Sequence, residues 1–313
     1  WGLRLVAFLV LLASLAVLVG VNKRLRPPDW LRDRLEARIE QSLDGMQIAF
    51  GDIGLVIREG LRPRLHLQDV VLSEADGRIL ARLSDAEASL ALRPLLQGRV
   101  QPKRIALSGV FATLLRDREG AVSLALDTAA APVGEAAGIP QLMEDAEQLL
   151  LRPQLAALVR LDVDAVTLRY EDRRTGKAWT LDGGEVKLER DGDDLRFGSS
   201  FALLSGRDYA SSVEANYSSR IGETRAAFGI SVQDIAAPDI AAQSPALRWL
   251  EVLRAPISGA LRGGVDEAGA IGPLSATLHI GAGALQPTEA THPVPFSGAR
   301  SYFTYDPKAQ TLT

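Results

Sequence analysis

The stretch KAWTLDGGEVKLERDGDDLRFGSSFALL, residues 177–204, decides the fold class of this chain. Apolar side chains alternate with polar ones on both sides of a central Asp-Gly-Asp-Asp segment. A period of two is typical of a strand with one buried side, and Asp-Gly between two such runs is typical of a hairpin. The stretch therefore predicts two antiparallel strands. Their apolar positions are Trp179, Leu181, Val186, Leu188, Leu195, Phe197, Phe201 and Leu203.

The same alternation recurs before and after this hairpin, in three series of strands that begin near Ile48, Leu161 and Ile257. Turn pairs such as Asp76-Gly77 and Glu119-Gly120 separate the strands. Because the connections are short, neighbouring strands are expected to be antiparallel. The predicted fold class is mainly β, with a repeating antiparallel β-groove: a curved open sheet of about five strands per unit, with short crossing helices.

Helical patterns separate the strand series. Residues 140–159 are expected to be helical with a break at Pro153, and Ser244-Pro245 is a typical helix start. The predicted organisation is an anchor and its flank at 1–26, an amphipathic helix at 27–45, a first β-groove unit and linker at 46–138, a crossing helix and second unit at 139–236, and a crossing helix and incomplete third unit at 237–313.

An unbroken apolar run from Leu5 to Val21 precedes all of the strands. As a helix it spans about 25 Å at ~1.5 Å per residue, near the lower limit for crossing a bilayer. We predict a retained transmembrane anchor; the alternative is a cleaved signal peptide. The helix from Asp29 to Leu43 is expected to cap the first strand, whose edge would otherwise be open to pairing.

Composition argues against several classes of function. The 35 Lys and Arg residues and 39 Asp and Glu residues are interspersed, without the basic stripe that a nucleic-acid partner requires. The absence of cysteine excludes disulfide and thiolate chemistry. His66, His279 and His292 are far apart and are expected at solvent-facing positions. We therefore predict no catalytic residue, no metal site, no cofactor and no enzymatic activity.

The strands themselves carry the functional prediction. Two helices cannot cover a dozen strands of a sheet that widens by ~4.8 Å per strand, so its apolar side needs another partner. A second sheet would give ordinary sandwiches; the alternative is a groove that binds acyl chains. The predicted groove lining is Ile53, Leu55, Ile57, Leu65, Leu67, Leu90, Leu92, Ile105, Leu107, Leu124, Leu126, Val163, Leu168, Leu181, Leu188, Phe197, Phe201, Phe228, Ile230, Leu278 and Ile280.

Several short segments resemble the bacterial AsmA-like superfamily, the group that contains YhdP and TamB. They are GDIG (51–54), RLHLQDVVL (64–72), ALRPLLQG (91–98) and LRDREG (115–120), with APISGAL (255–261) and YDP (305–307) most similar to the YhdP branch. The resemblance implies a single-pass inner-membrane anchor, a large C-terminal part in the periplasm, and phospholipid transport towards the outer membrane. The basic residues after the anchor would by themselves favour a cytoplasmic location, so this orientation follows from the resemblance.

Two functions are compatible with these features. The first is lipid transfer along the groove, with phospholipid acyl chains and the inner membrane as partners. The alternative is an anchored periplasmic scaffold or assembly factor that binds envelope proteins through sheet edges. The sequence ends at Thr313 as another strand begins, so we expect a longer protein whose remaining C-terminal part contacts outer-membrane or periplasmic proteins.

Overall fold

β-strands dominate the structure, a computed structural model. It describes residues 24–25, 46–58, 62–74, 79–91, 93–94, 101–118, 122–125, 148, 150–153, 155–204, 210–242, 245–288 and 290–313. The predicted anchor and the predicted helix from Asp29 to Leu43 lie outside these residues. Within the described ranges, no helix has the length and apolar character needed to cross a bilayer.

The chain divides into two compact units. Unit 1 comprises Trp1–Thr113 and Val122–Asp164, and unit 2 comprises Leu114–Ala121 and Ala165–Thr313. The strands up to the division within β9 are β1 (Arg24–Leu25), β2 (Met46–Ala49), β3 (Asp52–Arg58), β4 (Arg62–Glu74), β5 (Ile79–Leu90), β6 (Pro102–Ser108), β7 (Phe111–Arg116), β8 (Val122–Ala125) and β9 (Arg160–Asp172).

The sheet of unit 1 is built around β4. This strand pairs with β2 and β3 along one edge and with β5 along the other, and β5 pairs with β6, all antiparallel. The next contact is parallel: Arg104 to Ser108 of β6 pair with Arg160 to Asp164 of β9. This contradicts the prediction of a purely antiparallel series. The connection between β6 and β9 is about fifty residues long, enough for the crossover that parallel pairing requires.

The described edge of β3 is paired with β1, which places Arg24 opposite Val56 and Leu25 opposite Leu55. The sequence predicted only an anchor flank here. Further along the sheet, β4 is irregular at Asp69, whose φ of 50° lies in the left-handed region. This irregularity resets the alternation, so Leu67 and Val70 pack in one cluster.

Unit 2 contains the remaining strands and two short helices. They are β10 (Lys177–Asp191), β11 (Asp194–Leu204), β12 (Ser211–Arg220), β13 (Ala226–Ala236), α1 (Ala237–Ala241), a 3₁₀-helix (Pro245–Val252), β14 (Leu253–Arg254), β15 (Pro256–Val265), β16 (Leu274–Ile280), β17 (Gly283–Leu285), β18 (Val294–Phe296), β19 (Ala299–Asp306) and β20 (Thr311–Leu312).

The main sheet of unit 2 is open and antiparallel, in the order β10, β11, β12, β13, β15, β16, β19, β20. The hairpin predicted from residues 177–204 is confirmed, with Asp191 opposite Asp194 and a φ of 63° at Gly192. A second, three-stranded sheet contains β14, β17 and β18.

Helical structure differs from the sequence prediction in three ways. Residues 155–159, expected to continue a helix beyond Pro153, form turns and irregular backbone. The helix predicted after Ser244-Pro245 is a 3₁₀-helix. α1 was not predicted at all, because its five residues, APDIA, are too few to show a helical period.

Candidate functional site

One side of the unit 2 sheet is apolar across seven neighbouring strands. The cross-strand register aligns these positions from strand to strand, as in the row that joins Ala215, Ile230 and Leu261. We call this set the apolar face of unit 2. Its members are Leu181, Val186, Leu188, Phe197, Phe201, Leu203, Val213, Ala215, Tyr217, Phe228, Ile230, Val232, Ile257, Leu261, Leu274, Ala276, Leu278, Ile280, Phe303 and Tyr305.

Charged side chains occupy the opposite side of the same strands, because successive residues of a strand point to opposite sides. They include Glu185, Lys187, Glu189, Arg196, Glu214, Arg220, Arg262 and Arg300. Two of the described positions on the apolar side of these strands are charged. One is Lys177, whose Nζ lies 3.9 Å from Asp239 Oδ1, and the other is Arg190. It lies opposite Leu195 at the hairpin end, where its Nε donates to the Gly192 carbonyl at 2.9 Å. The predicted groove lining contains no charged residue.

The apolar face of unit 2 is covered at one end and open in its middle. α1 and the 3₁₀-helix pack over Ile257, Leu278 and Ile280, and they bury Ile257 to 3% exposure. On the neighbouring strand Ile230 points to the same side and is 41% exposed. Phe197, Phe201 and Phe228, also away from the helices, are half-buried.

Phe201 shows how the open part of this face is packed. Gly184 lies beneath the Phe201 ring, and a Cβ at Gly184 would clash with that ring and lie 2.9 Å from the Val166 carbonyl oxygen. The missing side chain therefore lets the ring pack directly against β10.

Leu168 of β9 belongs to the same side of unit 2. The Thr167 hydroxyl donates to Asp182 Oδ1 at 2.7 Å on the charged side, so Leu168 points the other way. Two residues further along β9, Tyr170 stacks on Trp179 with ring centroids 5.5 Å apart. The hydrogen bond from Thr167 also holds the pKa of the Asp182 carboxyl below its usual value.

Unit 1 has a comparable apolar side, formed by the rows Ile53–Leu67–Ala86–Leu107–Val163 and Leu65–Ala88–Ile105–Leu161. Ile53 and Leu67 are buried in a cluster with Ile48, Phe50 and Val70. Leu65, Ile105, Leu107 and Val163 are half-buried. Part of this predicted lining is therefore core, and part of it is accessible.

The other predicted lining residues are placed less completely. By register, Leu55 lies opposite Leu65 and Ile57 opposite Pro63. Leu90 follows Ala88 on the same side of β5, where the register with β6 shifts. Leu124 lies in β8, and Leu92 and Leu126 are outside the described residues.

Among the described residues, no group of three or more His, Cys, Asp or Glu side chains could hold a metal ion. His279 and His292 are exposed, as predicted. The prediction for His66 was wrong: it is half-buried, and its Nδ1 lies 3.3 Å from Asp85 Oδ1 on the charged side of unit 1.

Comparison with known proteins identifies a family. No curated protein matches the chain. A family model, described as the AsmA family, matches residues 2–204. The match includes the predicted anchor, all of the described strands of unit 1 and unit 2 as far as β11. This protein therefore belongs to the AsmA family.

Proposed function

We propose that this protein transfers phospholipids, binding their acyl chains on the apolar faces of its two units. Membership of the AsmA family indicates a function in the cell envelope. The observation that carries the finer proposal is the open middle of the apolar face of unit 2, where Ile230 is 41% exposed. The open apolar surface around Ile230 supports a binding site for an apolar ligand.

The dimensions and chemistry of this face suit an acyl chain. Seven neighbouring strands at ~4.8 Å spacing make it about 29 Å wide. Moving a sixteen-carbon chain from a bilayer into water costs about 12 kcal/mol at ~0.8 kcal/mol per CH₂. Contact with a continuous apolar face offsets much of that cost, and such contact needs no directional polar group.

We locate the anchor in the bacterial inner membrane, with a single pass, and both units in the periplasm. The apolar run from Leu5 to Val21 supports the anchor, and the family resemblance supports the orientation. Within the family we favour the YhdP branch, on the resemblance of residues 255–261 and 305–307. The proposed activity moves lipid towards the outer membrane and includes no chemical step.

A pair of charge substitutions on one strand tests this function. Ile230→Asp puts a carboxylate on the open part of the apolar face, where it would deprive bound methylenes of apolar contact. Ala227→Asp puts the same charge on the opposite side of β13, between Ser218 and Gly264. The full chain, purified in mild detergent, would be extracted and its phospholipid quantified by mass spectrometry.

We expect the Ile230→Asp variant to retain about tenfold less phospholipid than the wild type, and Ala227→Asp to retain the wild-type amount. Lipid that surrounds the anchor is common to all three proteins and cancels in the comparison. Equal retention by the two variants would overturn the proposal and favour the scaffold function. Phe201→Asp, on the same face, provides an independent repeat.

A further inference from the structure

The charged side of unit 1 contains a row of arginines that the lipid-transfer proposal does not use. The register aligns Arg64 of β4 with Ser89 of β5, Ser89 with Arg104 of β6, and Arg104 with Arg160 of β9. On the other side of β4 the same row continues through Val56 to Arg24 of β1. We call these positions the arginine row. Adjacent cations repel each other, so such a row requires compensation.

The next row on the same side of the sheet, two residues further along each strand, contains carboxylates. They pair with some of the arginines and not with others. Arg64 forms an ion pair with Glu87, and Arg160 Nε lies 2.7 Å from Asp162 Oδ2. In this next row the residue of β6 is Ala106, which lies between Glu87 and Asp162 by register. Arg104 therefore lacks the carboxylate that each flanking arginine has.

Two more cations lie beside Arg104. A cavity of about 500 Å³ is lined by Arg64, Ser89, Arg93, Lys103 and Arg104. Lys103 is the extra residue of β6 where the register with β5 shifts. Among the described residues, no carboxylate pairs with Arg93, Lys103 or Arg104, and all three are exposed. Three cations without a described carboxylate partner and one hydroxyl thus line one open cavity, together with several apolar residues.

The arginine row begins close to the predicted anchor in the sequence. This position indicates which kind of anion the row would bind. Arg24 is three residues beyond Val21, the last residue of the predicted anchor, so at most about 10 Å of extended chain separates this end of the row from the bilayer. The other arginines of the row lie at the same level of their strands by register. Cationic side chains at that distance interact with the negative surface potential of anionic lipids. A dissolved anion can reach a site at any distance from the membrane, whereas a lipid headgroup can reach only a site close to it. The position of the row therefore favours a lipid headgroup.

We propose that the arginine row and its cavity bind the phosphate groups of anionic phospholipids at the membrane surface. The site holds the anchor-proximal end of unit 1 against the bilayer, through Arg93, Lys103 and Arg104. It rests on the proposed function for the anchor and for the presence of lipid. It adds a preference for the headgroup, which the apolar faces cannot supply.

The test compares two triple variants of the full chain in detergent. Arg93→Gln, Lys103→Gln and Arg104→Gln together remove the three cations of the cavity that have no described carboxylate partner. The control removes the same charge from the charged side of unit 2, through Arg196→Gln, Arg262→Gln and Arg300→Gln. Native mass spectrometry would measure the competition between phosphatidylglycerol and phosphatidylcholine that have identical acyl chains, so that only the headgroup differs.

We expect the wild type and the control to prefer phosphatidylglycerol by roughly 10- to 100-fold, and the site variant to show a preference near one. Rising salt should reduce the wild-type preference, because exposed charges are screened. A site variant that keeps the wild-type preference, or a control that loses it equally, would overturn the proposal. Inorganic phosphate that raises the melting temperature as much as phosphatidylglycerol does would overturn the assignment to lipid.

Capture of phosphatidylcholine by a photocrosslinker at Ile230 separates this proposal from the proposed function. Capture at Ile230 without any headgroup preference would reject the arginine row alone. A headgroup preference without capture at Ile230 would reject lipid binding on the apolar face, and the arginine row would stand as a membrane-binding surface.

Discussion

Ile257 and Ile230 are the same residue type on the same face of neighbouring strands, yet one is 3% exposed and the other 41%. The difference comes from α1 and the 3₁₀-helix, which pack on Ile257 and end before they reach Ile230. The covered end of the apolar face is therefore hydrophobic core, and its open middle is a surface that can bind a ligand. Alternation of apolar residues alone does not distinguish these two roles.

The largest expected effect of a substitution is at the covered end. Ile257→Ala should destabilise the β15–β16 region by about 2–5 kcal/mol, because the helices cannot close the cavity that it leaves. Ile230→Ala should cost less than about 1 kcal/mol, because much of that side chain is already in water. Hydrogen exchange of the β15 and β16 backbone amides measures both values. Equal costs would mean that the open middle is covered after all.

A smaller effect is expected where Phe201 lies on Gly184. Gly184→Ala would push a methyl group into the Phe201 ring and the Val166 carbonyl, at a cost of about 1–3 kcal/mol. Adding Phe201→Ala should recover the part of the loss that the ring causes. Thermal unfolding of the single and double variants tests this packing. A stable Gly184→Ala variant would show that the ring does not lie over β10 in solution.

A still smaller effect is expected on the charged side of unit 1. Ser108 lies between Asp85 and Asp164 in the cross-strand register. Ser108→Asp should destabilise the sheet by about 0.2–1 kcal/mol through repulsion, and Ser108→Lys should stabilise it by a similar amount. The difference between the two melting temperatures should shrink in high salt. A difference that does not depend on salt would argue against this charge arrangement.

The smallest effect concerns an exposed ion pair at the far end of β15 from Ile257. A hydrogen bond from Lys308 Nζ at 2.8 Å and one from the Ala270 amide hold the pKa of Asp266 below its ordinary value of 3.8. Because the folded-state pKa is lowered, the pair contributes stability above pH 3.8 and loses it as pH falls through the lowered pKa. Lys308→Gln should raise the pKa of Asp266 part of the way to 3.8, as measured by NMR titration. An unchanged pKa would show that the pair does not form.

The sequence predicted most of the strands because period two is a local property. The hairpin at Gly192 and the shared side of Leu188 and Phe197 follow from alternation within a few residues of each strand. The parallel contact between β6 and β9 could not be predicted in this way, because some fifty residues separate the two strands.

The functional face was predicted in its composition but not in its boundaries. Whether Ile257 belongs to core or surface depends on α1, which is too short to leave a helical pattern. The shared side of Leu181 and Leu188, which are an odd number of residues apart, depends on the register shift between Asp182 and Glu185. Asp69, Ala165 and Asp234 adopt positive φ without being glycine, so the usual residue signal for such turns is missing.

Photocrosslinking from two positions of β13 tests the central claim most directly. A photoreactive residue would replace Ile230, on the apolar side, or Ala227, on the charged side of the same strand. Both positions are exposed, so they differ in the side of the sheet and not in access to solvent. Lipid binding on the apolar face predicts that phospholipid is captured from position 230 and not from position 227. Equal capture at both positions, or none at position 230, would contradict it.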